Sequence, residues 1–135
     1  MHPEAARLLE SIENEIGVIT IAGPYRTGKS SLAGRALLGN PKAFQADATI
    51  NPCTKGLWIY GRPINDCRSV NGEQMTSIVI DTEGLNAIDE CQNHDLRILT
   101  LSVLLSSKLI YNSMNAIDES SLQQLNLVVN LTKHI

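Results

Sequence analysis

Three features of this 135-residue chain predict an α/β sandwich, built on a mostly parallel sheet with one antiparallel strand. Short apolar runs of strand length alternate with stretches of helical periodicity. A glycine-rich turn joins the first of those strands directly to a helix. A later strand ends abruptly in an acidic residue.

The elements can be taken in chain order. Residues 3–13 carry Pro3 in their first turn and Leu8, Leu9 and Ile12 on one side, which predicts a short amphipathic helix covering the sheet. Residues 16–22 read as a buried strand and residues 31–38 as a helix, stopped by Gly39-Asn40-Pro41. Residues 40–54 hold few periodic apolar positions and several Asn, Asp, Pro and Thr; an irregular segment of that length is uncommon without a role. A strand resumes at 55–60. Pro63 and the tight-turn pair Asn71-Gly72 punctuate residues 62–75. Residues 76–80 form the next strand, antiparallel to the preceding one, and run into Asp81-Thr82-Glu83-Gly84. Residues 96–105 are apolar nearly all round, which predicts a buried helix with Asp95 as its cap. Residues 108–111 make a short core strand. Asp118 caps a last helix, along which Leu122, Leu125, Val129 and Thr132 recur at helical spacing.

Composition narrows the function. The net charge is −3, there is no basic run, and aromatic residues make up only 4% of the chain, so neither the electrostatic footprint nor the stacking surface of a nucleic-acid binder is present. No apolar run reaches the length of a membrane span, and the first residues lack the apolar core of a signal peptide. Cys53, Cys67 and Cys91 are odd in number and widely spaced, without a C-x-x-C; reduced thiols in a cytoplasmic setting fit better than zinc or disulfides. His2, His94 and His134 have no ligand spacing between them. Trp58 and Tyr60 read as core or strand-face residues.

The chemistry concentrates in Gly23-Pro24-Tyr25-Arg26-Thr27-Gly28-Lys29-Ser30, which fits G-x-x-x-x-G-K-[ST] between a strand and a helix. Four fixed positions should coincide by chance in roughly one chain in 200 of this length. Gly23 and Gly28 free the backbone to turn successive N–H groups toward phosphate oxygens, and the helix N-terminus adds its positive end. Tyr25, Arg26 and Thr27 lie in the loop, and Ser31 opens the helix beside Ser30; all are counted with the phosphate contacts. Lys29 reaches the β- and γ-phosphates and the Ser30 hydroxyl ligates Mg²⁺. Arg26 stands where an arginine finger supplied in cis would neutralise developing charge. Asp81 is placed like the carboxylate that holds Mg²⁺, often through water, and Gly84 completes D-x-x-G, whose glycine N–H can bond the γ-phosphate. Position alone leaves two readings of Thr54: a second hydroxyl on Mg²⁺, ordering its loop, or a strand-start threonine of good β-propensity.

Residues 23–30, Pro52-Cys53-Thr54-Lys55-Gly56-Leu57-Trp58, Asp81-Thr82-Glu83-Gly84-Leu85, Ser102-Val103-Leu104-Leu105-Ser106-Ser107 and Tyr111-Asn112-Ser113 occur in this order. Together they resemble the guanylate-binding-protein family of large, dynamin-related GTPases, particularly its plant- and protist-type members. The likeness runs from about Ile16 to the C-terminus. It implies a P-loop NTPase three-layer sandwich, GTP as substrate, Mg²⁺-dependent hydrolysis, and nucleotide-dependent pairing of two GTPase domains. It implies Arg26 as the internal finger, Thr54 as the Mg²⁺-binding switch threonine, Asp81 and Gly84 as the second switch, and Glu83 as a residue that organises the catalytic water. A salt bridge at the strand end is the alternative for Glu83.

Two departures accompany the likeness. Vertebrate members commonly carry a serine where this chain has Pro52. The Arg-Asp pair that reads guanine after a later strand is absent, as is any Asn-Lys-x-Asp substitute, so the expectation is a partial GTPase domain over residues 1–135, incomplete at the C-terminus. Such a piece would expose a strand edge, bind nucleotide weakly and discriminate poorly between GTP and ATP. Any membrane association would be peripheral and carried by regions outside this chain. The rival readings are an ATP-using enzyme with the same loop, and a non-hydrolysing fragment that binds nucleotide only to associate.

Overall fold

The computed structural model describes residues 2–44, 56–85, 92–114 and 119–132. Helix α1 (Pro3–Glu10) leads into β1 (Glu15–Ala22), and α2 (Lys29–Leu32) continues into a wider π-type turn over Ala33–Leu37. Strands β2 (Leu57–Ile59), β3 (Ile64–Arg68) and β4 (Gln74–Thr82) come next, then α3 (Gln92–Leu105), β5 (Lys108–Tyr111) and α4 (Glu119–Thr132).

Among the described residues the sheet has five strands, with β1 between β4 and β5 and parallel to both. Strands β2 and β3 lie one after the other along the outer edge of β4, both antiparallel to it. They act as one interrupted edge strand, since Tyr60 N–H still bonds Val79 O at 2.9 Å between them. The expected antiparallel strand is therefore present and longer than predicted. A hairpin turn through Asn71-Gly72 carries it back into β4, with Ser69 N–H on Glu73 O at 2.9 Å.

Alternation along the strands builds two cores. Ile21, Val79 and Ala33 pack with Leu37, Leu38 and Ile110 on the face covered by α2. Ala22, Leu85, Ile98 and Leu99 pack with Leu96, Val103, Leu109 and Tyr111 on the face covered by α3. Adjacent residues such as Ile21 and Ala22 point to opposite faces because the strand repeat is two. Helices on both faces of one sheet make three layers.

Several expectations need correction. Asp95 does not precede α3; it lies buried in the first turn of a helix that begins at Gln92. That helix is buried on one side only, through Ile98, Leu99 and Ser102, while Leu101, Leu104 and Leu105 are exposed. A helix laid on a sheet buries one stripe, and apolar composition does not say what meets the other. Helix α1 has no fully buried residue, with Ala5, Ala6, Leu8 and Leu9 half-buried. The helix expected after the loop begins at Lys29, where the motif sets it, but its second half is wound more widely, with Leu38 N–H bonding Ala33 O at 3.2 Å. The cap expected at Asp118 lies outside the described residues.

The C-terminal ends of β1, β4 and β5 converge at the turn after β1. Gly23 has φ 146° and Gly28 φ 81°, both in the region that disfavours side chains. A Cβ on Gly23 would also stand 2.0 Å from the Asn112 carbonyl oxygen, whereas one on Gly28 would meet nothing within 4 Å. Gly28→Ala should therefore cost about 1–2 kcal/mol from backbone strain alone. Gly23→Ala should cost at least about 2 kcal/mol more, because backbone must also move. Chemical denaturation of both variants measures this; equal losses would contradict the close approach.

Candidate phosphate-binding site

The turn over residues 23–30 is held from two sides. Tyr25 N–H bonds Leu85 O at 2.8 Å and Leu85 N–H bonds Gly23 O at 3.1 Å, so the loop is stitched to the segment after β4. Asn112, just past β5, braces the other side: its N–H bonds Ala22 O at 2.8 Å and its side-chain Nδ2 donates to Thr27 O at 2.8 Å. Thr27 Oγ1 in turn donates to Pro24 O at 2.9 Å. Arg26 sits at φ 59°, unusual for a residue with a side chain, and its exposed guanidinium lies 5.4 Å from the centre of the Tyr25 ring. A Cβ on Gly84 would come 2.4 Å from Tyr25 Cα, so only glycine lets the D-x-x-G segment approach the loop this closely.

Lys29 and Ser30 open α2. Lys29 is only 6% exposed, and its Nζ donates to Pro24 O at 2.8 Å, closing the loop on its own lysine. Burial lowers its pKa, and the nearby Asp81 carboxylate opposes that shift. Asp81, fully buried at the end of β4, accepts a hydrogen bond from Ser30 Oγ at 2.5 Å through Oδ2. Among the described residues its Oδ1 has no hydrogen-bond partner of good geometry. Burial raises the Asp81 pKa; the Ser30 hydroxyl, Lys29 and, least, the Thr82 N–H pull it back. A hydroxyl and a carboxylate converging beside an ammonium, with one oxygen orphaned, suit a hard cation such as Mg²⁺.

Glu83 is also buried. Its Oε2 accepts from Gly56 N–H and its Oε1 from His94 on α3, while its own N–H bonds Gly56 O at 3.0 Å. Of the residues singled out from sequence, Gly23, Tyr25, Arg26, Thr27, Gly28, Lys29, Ser30, Asp81, Glu83 and Gly84 thus come together at one end of the sheet. Ser31 faces solvent in the first turn of α2. Thr54, with Pro52 and Cys53, lies outside the described residues.

Sequence reading assigned no task to Asn112 or His94. The Asn112 brace depends on β5 lying beside β1, in the register that sets Ala22 against Tyr111, and no local pattern reports that. His94 carries no ligand spacing in sequence, and in the structure it meets the Glu83 carboxylate.

Burial pushes the Asp81 pKa upward, so its charged form works against folding. Its neutral isostere should remove that cost. Asp81→Asn is expected to raise the Tm of the ligand-free chain by roughly 2–5 °C, while weakening Mg²⁺-dependent nucleotide binding. Thermal scans paired with nucleotide titrations check both halves; a lower Tm would contradict the burial argument.

Comparison with known proteins agrees with this geometry. The model of the guanylate-binding protein N-terminal domain matches residues 1–135. The chain is 39% identical to human guanylate-binding protein 3 over 135 residues, covering 99% of this chain and 22% of that protein. It is 37% identical to human guanylate-binding protein 5 over 133 residues, covering 98% of this chain and 22% of that protein. Mouse guanylate-binding protein 3 is 39% identical over 133 residues, covering 98% of this chain and 20% of that protein. The chain thus spans about a fifth of the length of these curated relatives. The site and these matches together place it in the guanylate-binding protein family.

Proposed function

We propose that this chain holds the phosphates of GTP and an accompanying Mg²⁺ ion, and carries the hydrolytic machinery of a guanylate-binding-type GTPase. The observation that carries this reading is the contact between Ser30 and the buried Asp81 beside Lys29, at the mouth of the loop over residues 23–30. Family membership supports the guanine nucleotide. No described helix is long and apolar enough to cross a membrane, and nucleotide-dependent pairing of two copies rests on the family likeness alone.

Each residue has a task. Loop amides from Arg26 onward and the α2 N-terminus take the phosphate oxygens. Lys29 exchanges the Pro24 carbonyl for the β- and γ-phosphates, gaining a full counter-charge in place of a dipole. Ser30, Asp81 and Thr54 would hold Mg²⁺, Asp81 directly or through water. When bound, that ion would neutralise phosphate charge. Gly84 offers its N–H to the γ-phosphate. Arg26, exposed and resting near Tyr25, swings inward as charge develops on the leaving oxygen. Glu83 orients the attacking water.

Lys29→Ala is expected to lower GTP affinity at least about a hundredfold, since it removes the buried ammonium from the triphosphate. Arg26→Ala should leave affinity within about threefold and slow turnover roughly a thousandfold. Titration of GTP and ATP with Mg²⁺, followed by single-turnover hydrolysis, measures both. Equal losses of affinity in the two variants would remove the finger, and a preference for ATP would remove the guanine assignment.

A further inference from the structure

We propose that His94 is a positioning residue that fixes the Glu83 carboxylate. The proposal rests on the reading of Glu83 as the group that orients the attacking water. Glu83 lies just beyond the end of β4, two residues after Asp81, with its side chain 9% exposed. One carboxylate oxygen is held by Gly56 N–H and the other by His94 Nε2. A carboxylate can only accept, so Nε2 carries the hydrogen in this pair.

This grip differs from an ordinary surface ion pair. The last torsion of a glutamate is broad and roughly two-fold, so one hydrogen bond leaves the carboxylate free to turn. Bonds at both oxygens remove that freedom. A carboxylate has about four lone-pair sites, and among the described residues one donor is found on each Glu83 oxygen. On this proposal the attacking water takes a further site, in the plane that the His94 and Gly56 bonds set.

The donors come from separate parts of the fold. Gly56 lies two residues beyond Thr54 and leads into β2, while His94 sits in the first turn of α3. Helix α3 is anchored independently by Ile98 and Leu99 in the core. The His94 side chain is 42% exposed, so its removal leaves that anchorage intact. A partly exposed pair contributes little to stability. Its consequence is orientation.

The test uses the 135-residue chain with His94→Ala, His94→Gln, Glu83→Ala and the His94→Ala/Glu83→Ala double variant. Steady-state GTP hydrolysis with Mg²⁺ should show kcat about tenfold lower in His94→Ala, with KM within twofold. His94→Gln, whose amide donates from a similar reach, should recover most of that loss. His94→Ala should cost nothing further when Glu83 is already Ala. In the nucleotide-free chain, the Gly56 amide should exchange its hydrogen about tenfold faster in His94→Ala, as its acceptor loosens. An unchanged kcat, the same loss with and without Glu83, or unchanged Gly56 exchange would each overturn the proposal. A wild-type chain that hydrolyses no GTP would instead defeat the GTPase reading, and Gly56 exchange would still decide whether His94 holds Glu83.

Discussion

A carboxylate buried at the end of a core strand is the constraint on which this structure turns. Asp81 sits fully inside the protein, with a hydroxyl on one oxygen and, among the described residues, no good partner on the other. Burial of an ionised group is tolerated only when hydrogen bonds and opposite charge offset lost hydration. Ser30 and the neighbouring Lys29 supply part of that compensation. On the proposed reading, a divalent ion and a triphosphate would add the remainder.

The surrounding architecture keeps that arrangement from relaxing. Strand β4 is buried from Thr76 to its end, and β1 pairs with it in parallel register over Glu15 to Ile21. The carboxylate is therefore delivered beside the loop by the most deeply packed part of the sheet. The loop itself adopts positive φ at Gly23, Arg26 and Gly28, and is tied to Leu85 and Asn112 by backbone and side-chain hydrogen bonds. Strain at Arg26 persists because the anchors on either side over-determine the turn. Glycine at 84 lets the segment after β4 lie against Tyr25, so movement at either would be felt by the other.

Much of this is legible in the chain because local chemistry dictates it. The G-x-x-x-x-G-K-S spacing needs a strand before it and a helix after it, and both are present. Asp81 stands at the end of an apolar run, and strand geometry does the rest. The β5 strand appears over the expected residues. The features that escape a sequence reading depend on contacts distant in sequence. The β3 strand carries Asn65 and Asp66 and has no clean alternation, so only its pairing with β4 reveals it. The π-type turn after α2 has no compositional marker. The exposed side of α3 looks as apolar as its buried side, since composition reports hydrophobicity and not what covers it. His94 meets Glu83 across the gap between β4 and α3, a meeting set by packing of the helix on the sheet.

A co-crystal structure with Mg²⁺ and a non-hydrolysable GTP analogue tests the central claim most directly. The account predicts that Ser30 Oγ turns from Asp81 to the ion, that Lys29 Nζ leaves Pro24 O for the phosphates, and that the orphaned Asp81 oxygen faces the ion or its water. An analogue bound elsewhere, with the Ser30–Asp81 and Lys29–Pro24 hydrogen bonds intact, would contradict it.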